Sequence, residues 1–142
     1  MKTVNQLLQG KSRDLCTIRP DACVLDALKL MAEKNIGALP VVEGDKLVGI
    51  VSERDYARKV ILKGKSSHDT PVREIMTAGV ICVKPASTVE ECMALMTERH
   101  IRHLPVLEDA KLLGILSIGD LVKETIAEQQ LVIKQLESYI HS

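Results

Sequence analysis

The chain repeats itself, and that narrows its possible folds more than any other feature. Shifting residues 18–55 forward by 65 positions lays them without a gap on residues 83–120. Sixteen of the 38 aligned positions are identical, and many others exchange one aliphatic residue for another. Pro20 meets Pro85, Pro40 meets Pro105, Gly49 meets Gly114, Ser52 meets Ser117 and Asp55 meets Asp120. Self-similarity at a fixed period marks two copies of one supersecondary unit.

Each copy carries the same succession of patterns. After the proline, apolar residues fall at helical spacing: Val24, Ala27, Leu28 and Met31, matched by Val89, Cys92, Met93 and Met96. Thr88 with Glu91 three residues on reads as a capping box, and Asp21 as the cap of the first copy's helix. Two β-rich runs follow, 39–42 and 47–51 around Gly44-Asp45, then 104–107 and 112–116 around Asp109-Ala110; both pairs read as hairpins. A second helix starts at each Ser-x-x-Asp, with Ser52 and Ser117 as N-caps. With an entering strand near Thr17 and Cys82, the order in each copy is β-α-β-β-α. So small a unit buries too little surface alone. The two are therefore expected to pack sheet to sheet about an approximate twofold axis and share one core, an α+β fold. On this pattern residues 1–15 hold a lead-in helix and 16–62 the first repeat. Residues 63–75 are a polar linker and short helix, 76–126 the second repeat, and 127–142 a C-terminal helical extension.

Composition removes several classes of function. Nineteen basic side chains balance nineteen acidic ones, which leaves no overall electrostatic footprint for nucleic acid or an anionic membrane. A local basic pocket is still allowed. Tyr56 and Tyr139 are the only aromatics, so the core is aliphatic and base-stacking platforms have no material. Cys16, Cys23, Cys82 and Cys92 form no CxxC and read as reduced, buried thiols. His100 and His103 stand three apart without carboxylate or cysteine partners nearby in sequence, and no metal is expected. No apolar run is long enough for a signal peptide or a membrane span, which points to a soluble protein of the reducing cytoplasm.

The string LPVV-x-x-x-x-LVGIVSERD, repeated as LPVL-x-x-x-x-LLGILSIGD, resembles the CBS domain named after cystathionine β-synthase. The two copies span about residues 16 to 126. The resemblance implies a pair of α+β units forming a Bateman module, usually assembled as dimers. It also implies AMP, ATP, NAD(H) or S-adenosylmethionine as a regulatory ligand in the cleft between units. By the same resemblance the Ser and Asp of each motif hold the ribose: Ser52 with Asp55, and Ser117 with Asp120. A carboxylate suits a cis-diol because it accepts hydrogen bonds from both hydroxyls. These acids equally suit the first turn of a helix, whose dipole favours anions, and that plainer role stays open. The adenine contacts implied are Ile36, Gly37, Ala38 and Ile101 before Leu-Pro, with Thr17 and Cys82 on the entering strands. Arg102 and His103 match the family's basic pair for phosphate. The first copy departs from it with Gly37 and Ala38, which makes the two sites unequal, and Arg54 is its candidate instead.

In residues 121–140, Val122, Ile126, Ile133, Leu136 and Ile140 form an apolar stripe interrupted at Gln129. The stripe either folds back on its own unit or faces a partner, and a homodimer is expected. The leading expectation is a non-catalytic regulatory module for adenine nucleotides. The alternatives are a structural dimerisation module with a degenerate cleft, or a small enzyme. An enzyme needs a nucleophile with its base or a metal cluster, and the sequence arranges neither tightly.

Overall fold

The computed structural model describes residues 2–10 and 15–141. Two hairpin-and-helix units face each other through their second strands. The first unit runs α2 (Val24–Lys34), β1 (Ala38–Glu43), β2 (Lys46–Ser52) and α3 (Glu53–Tyr56), continued by a π-helical turn, Ala57–Ile61. The second runs α4 (Val89–Arg99), β3 (His103–Glu108), β4 (Lys111–Ser117) and α5 (Ile118–His141). A short helix α1 (Val4–Gln9) precedes the first unit, and a 3-10 turn, Val72–Glu74, precedes the second. The α+β class and the paired repeats are thus as the sequence reads. Among the described residues no helix is long and apolar enough to cross a membrane.

The hairpins share one register, with Ala38 opposite Ser52 and His103 opposite Ser117, and both shift register at the equivalent point, after Val41 and after Val106. The expected entering strand shrinks to one residue per copy. Ile18 bridges Val41 in parallel, and Val83 bridges Val106, each through two backbone hydrogen bonds of 2.9–3.0 Å. The next amide that such a ladder needs lies two residues on, at Pro20 and Pro85, which have no N–H to give.

The helix caps differ from expectation in the first copy. Helix α2 begins at Cys23, whose side chain makes no capping bond. Asp21 is not the cap; its carboxylate holds the Arg19 guanidinium at 3.1 Å, which lowers its pKa below the usual carboxylate value. Thr88 does cap α4, accepting from the Glu91 amide at 3.2 Å. Both helices end on a left-handed residue, Asn35 (φ 54°) and His100 (φ 55°).

A single shared core, expected from the small size of each unit, does not form: there are two. In the first, Val24, Ala27, Met31, Leu39 and Val51 are joined by Val72 and Ile75 from the connecting segment. In the second, Val89, Cys92, Met96, Leu104 and Leu121 are joined by Val4 from α1. Each unit is therefore completed by the segment that leads into the other. A two-stranded sheet packed only by its own two helices leaves apolar surface uncovered, and the borrowed segment covers it. The backbone repeats the exchange. The Val4 amide bonds the Ser87 carbonyl and the Val72 amide bonds the Ala22 carbonyl, both at 2.8 Å. Thr3 bridges Thr88, and Pro71 bridges Cys23. Where these segments cross the hairpins, the strands carry glycine. A Cβ at Gly49 would lie 2.6 Å from Met76 Sδ, and one at Gly114 would lie 2.9 Å from Leu8 Cδ2.

Candidate functional site

Each second strand turns into a helix at a serine. The Ser52 hydroxyl accepts from the Asp55 amide at 3.2 Å and donates to Asp55 Oδ2 at 3.0 Å, while the Ser52 amide donates to the same oxygen at 3.0 Å. Ser117 and Asp120 repeat the arrangement at 3.2, 3.0 and 2.8 Å. Both acids therefore do serve the helix start, closing a capping box at the positive end of the dipole. Asp55 Oδ1 takes the Lys59 ammonium at 3.2 Å, and Lys59 also donates to the Ile75 carbonyl at 2.9 Å. The first helical amides then reach back to the strand entrances. Glu53 N–H bonds the Gly37 carbonyl at 3.1 Å, and Ile118 N–H bonds the Arg102 carbonyl at 2.9 Å. Short-range backbone bonding thus places each Ser-x-x-Asp beside the residue that precedes Leu-Pro or its neighbour.

A cleft of about 820 Å³ opens between the two units. The first unit brings Gly37, Ser52, Arg54 and Asp55 to it, and the second brings Ile101, Arg102 and His103. The two walls meet where Gly37 lies against the His103 ring; a Cβ on Gly37 would stand 3.6 Å from Nε2. Other expected residues lie elsewhere. Ser117, Asp120, Ile36, Ala38 and Cys82 do not line this cleft. Ala38 is buried at the start of β1. The Cys82 thiol points to the Val80 carbonyl at 3.7 Å, and partial burial pushes its pKa up. Thr17 borders a separate hollow of about 580 Å³.

The cleft also holds His100, the neighbour of His103 in the sequence reading, and Arg58 and Lys59, which sequence reasoning passed over. The signal was present, since Arg58 follows Arg54 by one helical turn on the same face. Four cations, Arg54, Arg58, Lys59 and Arg102, stand against two carboxylates, Glu53 and Asp55, in a chain of zero net charge. Lys59 is engaged by Asp55, whereas Arg54, Arg58 and Arg102 form no ion pair with any described residue. Cationic forks grouped in a recess present the geometry that phosphate oxygens accept. Among the described residues no three His, Cys, Asp or Glu side chains come together as a metal-binding group.

The chain matches the CBS domain family over residues 11–62 and again over 72–126. It is 43% identical over 141 residues to the CBS domain-containing protein CBSX3, mitochondrial, of Arabidopsis thaliana, covering 93% of this chain and 68% of that one. The solved structure of a CBS-domain protein from Burkholderia ambifaria superposes with a TM-score of 0.87 at 57% identity, over 90% of this chain and 96% of its own. The CBS domain pair of protein MJ0100, solved with 5′-methylthioadenosine and S-adenosyl-L-methionine, gives a TM-score of 0.81 at 27% identity, over 90% and 98%. Repeat, architecture and both family matches agree: the chain belongs to the CBS-domain family, as a tandem pair.

Proposed function

We propose that this chain is a non-catalytic regulatory module that binds an adenine nucleotide, AMP, ATP or NAD(H), in the cleft between its repeats. The observation that carries this is the meeting in one recess of Ser52 and Asp55 from one repeat with Ile101, Arg102 and His103 from the other. A carboxylate offers about four acceptor positions. Three of those on Asp55 are taken, two by Ser52 and one by Lys59. One ribose hydroxyl fits directly, and a second displaces Lys59. Ile101 and the open face of Gly37 receive the base, and Arg54, Arg102 and His103 face the phosphate. Ser117 and Asp120 hold a ribose on the opposite side of the module. The two adenosine-containing ligands of the MJ0100 pair support this ligand class.

The module is assigned no chemistry of its own, in keeping with the CBS domains that make up nearly all of it. Its setting is assigned to the cytoplasm, in keeping with its reduced cysteines. We assign it a homodimer through its long last helix. Ile126, Ile133, Leu136 and Ile140 are 49–73% exposed along α5, an apolar stripe that self-association would cover.

Calorimetric titration of AMP, ATP, NADH and S-adenosylmethionine into wild type and Asp55→Asn tests the proposal. The asparagine keeps one oxygen for the cap but loses the charge, and is expected to weaken nucleotide binding roughly tenfold or more. Silence across the whole panel at millimolar ligand, from folded wild-type protein, would refute nucleotide binding and leave the dimerisation module.

A further inference from the structure

The cations that line the cleft lie on one side of the molecule's pseudo-twofold axis. The repeat offset gives every cleft residue a counterpart, and the counterparts of the basic ones are mostly neutral. Arg54 corresponds to Gly119, Arg102 to Gly37, and His103 to Ala38. Arg58 corresponds to Lys123, and Lys59 to Glu124, which is itself held by Lys2 at 3.0 Å. The counterpart set therefore contains no guanidinium and balances one cation with one carboxylate, whereas the first set brings to one recess three guanidiniums that form no ion pair with any described residue. The backbone differs as well. After Ser52-Asp55 the chain takes a π-helical turn at Ala57–Ile61, bearing Arg58 and Lys59, while α5 runs on as regular α-helix through the equivalent positions. Single π turns in helices are frequent at functional sites.

We infer that this cleft selects its ligand by phosphate number: it takes one nucleoside di- or triphosphate per chain, through Arg54, Arg58 and Arg102, in preference to the monophosphate or the bare nucleoside. A phosphate chain presents more oxygens, spread over a greater length, to three separate guanidinium forks than a single phosphate group does. The inference rests on the nucleotide-binding function proposed above and adds to it a ligand class, a stoichiometry and a role for Arg58.

The test is calorimetry at low, fixed ionic strength with chelator present, using adenosine, AMP, ATP and inorganic tripolyphosphate against wild type, Arg58→Ala and Lys123→Ala. Affinity is expected to rise from adenosine to AMP to ATP, by about tenfold for each added phosphate contact, with one tight ATP site per chain and only weaker binding on the Ser117–Asp120 side. Arg58→Ala should weaken ATP about tenfold or more, leaving adenosine unchanged, and Lys123→Ala, on the counterpart side, should change neither. Added salt should weaken ATP more than adenosine, because the guanidinium groups are exposed. The inference is overturned if ATP binds no tighter than AMP, if Arg58→Ala weakens adenosine and ATP alike, or if two equivalent ATP molecules bind each chain. Adenosine and AMP binding without any gain for ATP removes only this inference. Tripolyphosphate binding with no response to adenosine or AMP upholds the phosphate site and removes the adenine assignment. Silence from all four ligands removes both.

Discussion

Cys92 packs at the centre of the second core, fully shielded from solvent, between Val89 and Met96 on the inner face of α4. Desolvation, with the Glu91 charge beside it, pushes its thiol up to about 11 from an ordinary value of 9.0. Between those values the unfolded chain releases a proton that the folded chain keeps. Stability therefore falls as pH rises through about 9 and levels off above about 11. Denaturant unfolding at pH 8 and pH 10.5 should show a larger loss for wild type than for Cys92→Ala, and equal losses would show that this thiol does not couple to folding. The same burial should protect Cys92 from alkylation in the folded protein at pH 8.

At the level of elements, the two hairpins are near copies, yet their glycines do not carry equal weight. A methyl group at Gly49 meets Met76 Sδ at 2.6 Å and the Thr77 carbonyl oxygen at 3.0 Å, and that oxygen is fixed by a hydrogen bond from the Ile50 amide. At Gly114 every atom met belongs to the flexible Leu8 side chain, and none to the backbone. Gly49→Ala is expected to cost roughly 1–3 kcal/mol and Gly114→Ala clearly less; chemical denaturation of the two variants checks the order, and the reverse order would contradict the packing described. The helices and hairpins were legible in the sequence because their apolar spacing and turn residues are local. The entering strands were overextended because the ladder stops at a proline two residues past its only bridge, a matter of which amide faces which carbonyl. Ser52, Asp55, Arg54, Arg102 and His103 were legible as motif positions. Arg58 was missed because it lies past residue 55, where the aligned repeat ends, and no motif position points to it. The paired cores were missed because nothing local in residues 4–9 says which repeat they cover.

Across the whole molecule, the exchange of lead-in segments ties the two repeats together. Deleting residues 2–9 removes Val4 from the second core and uncovers Gly114, while the first core keeps Val72 and Ile75. The expected loss is roughly 3–5 kcal/mol. Hydrogen exchange should lose protection in α4, β3 and β4 more than in α2, β1 and β2; equal losses in both repeats would mean that the two cores do not act separately. The exchange also gives the chain a direction in time. A growing polypeptide has everything its first core requires once Ile75 has left the ribosome, so that repeat reaches its packing early. Val4 is released before any residue of that core, but its partners Val89, Leu104 and Leu121 are made long afterwards. Until then the opening segment has nothing to bind. Arrival of the last helix and capture of the first one are a single event.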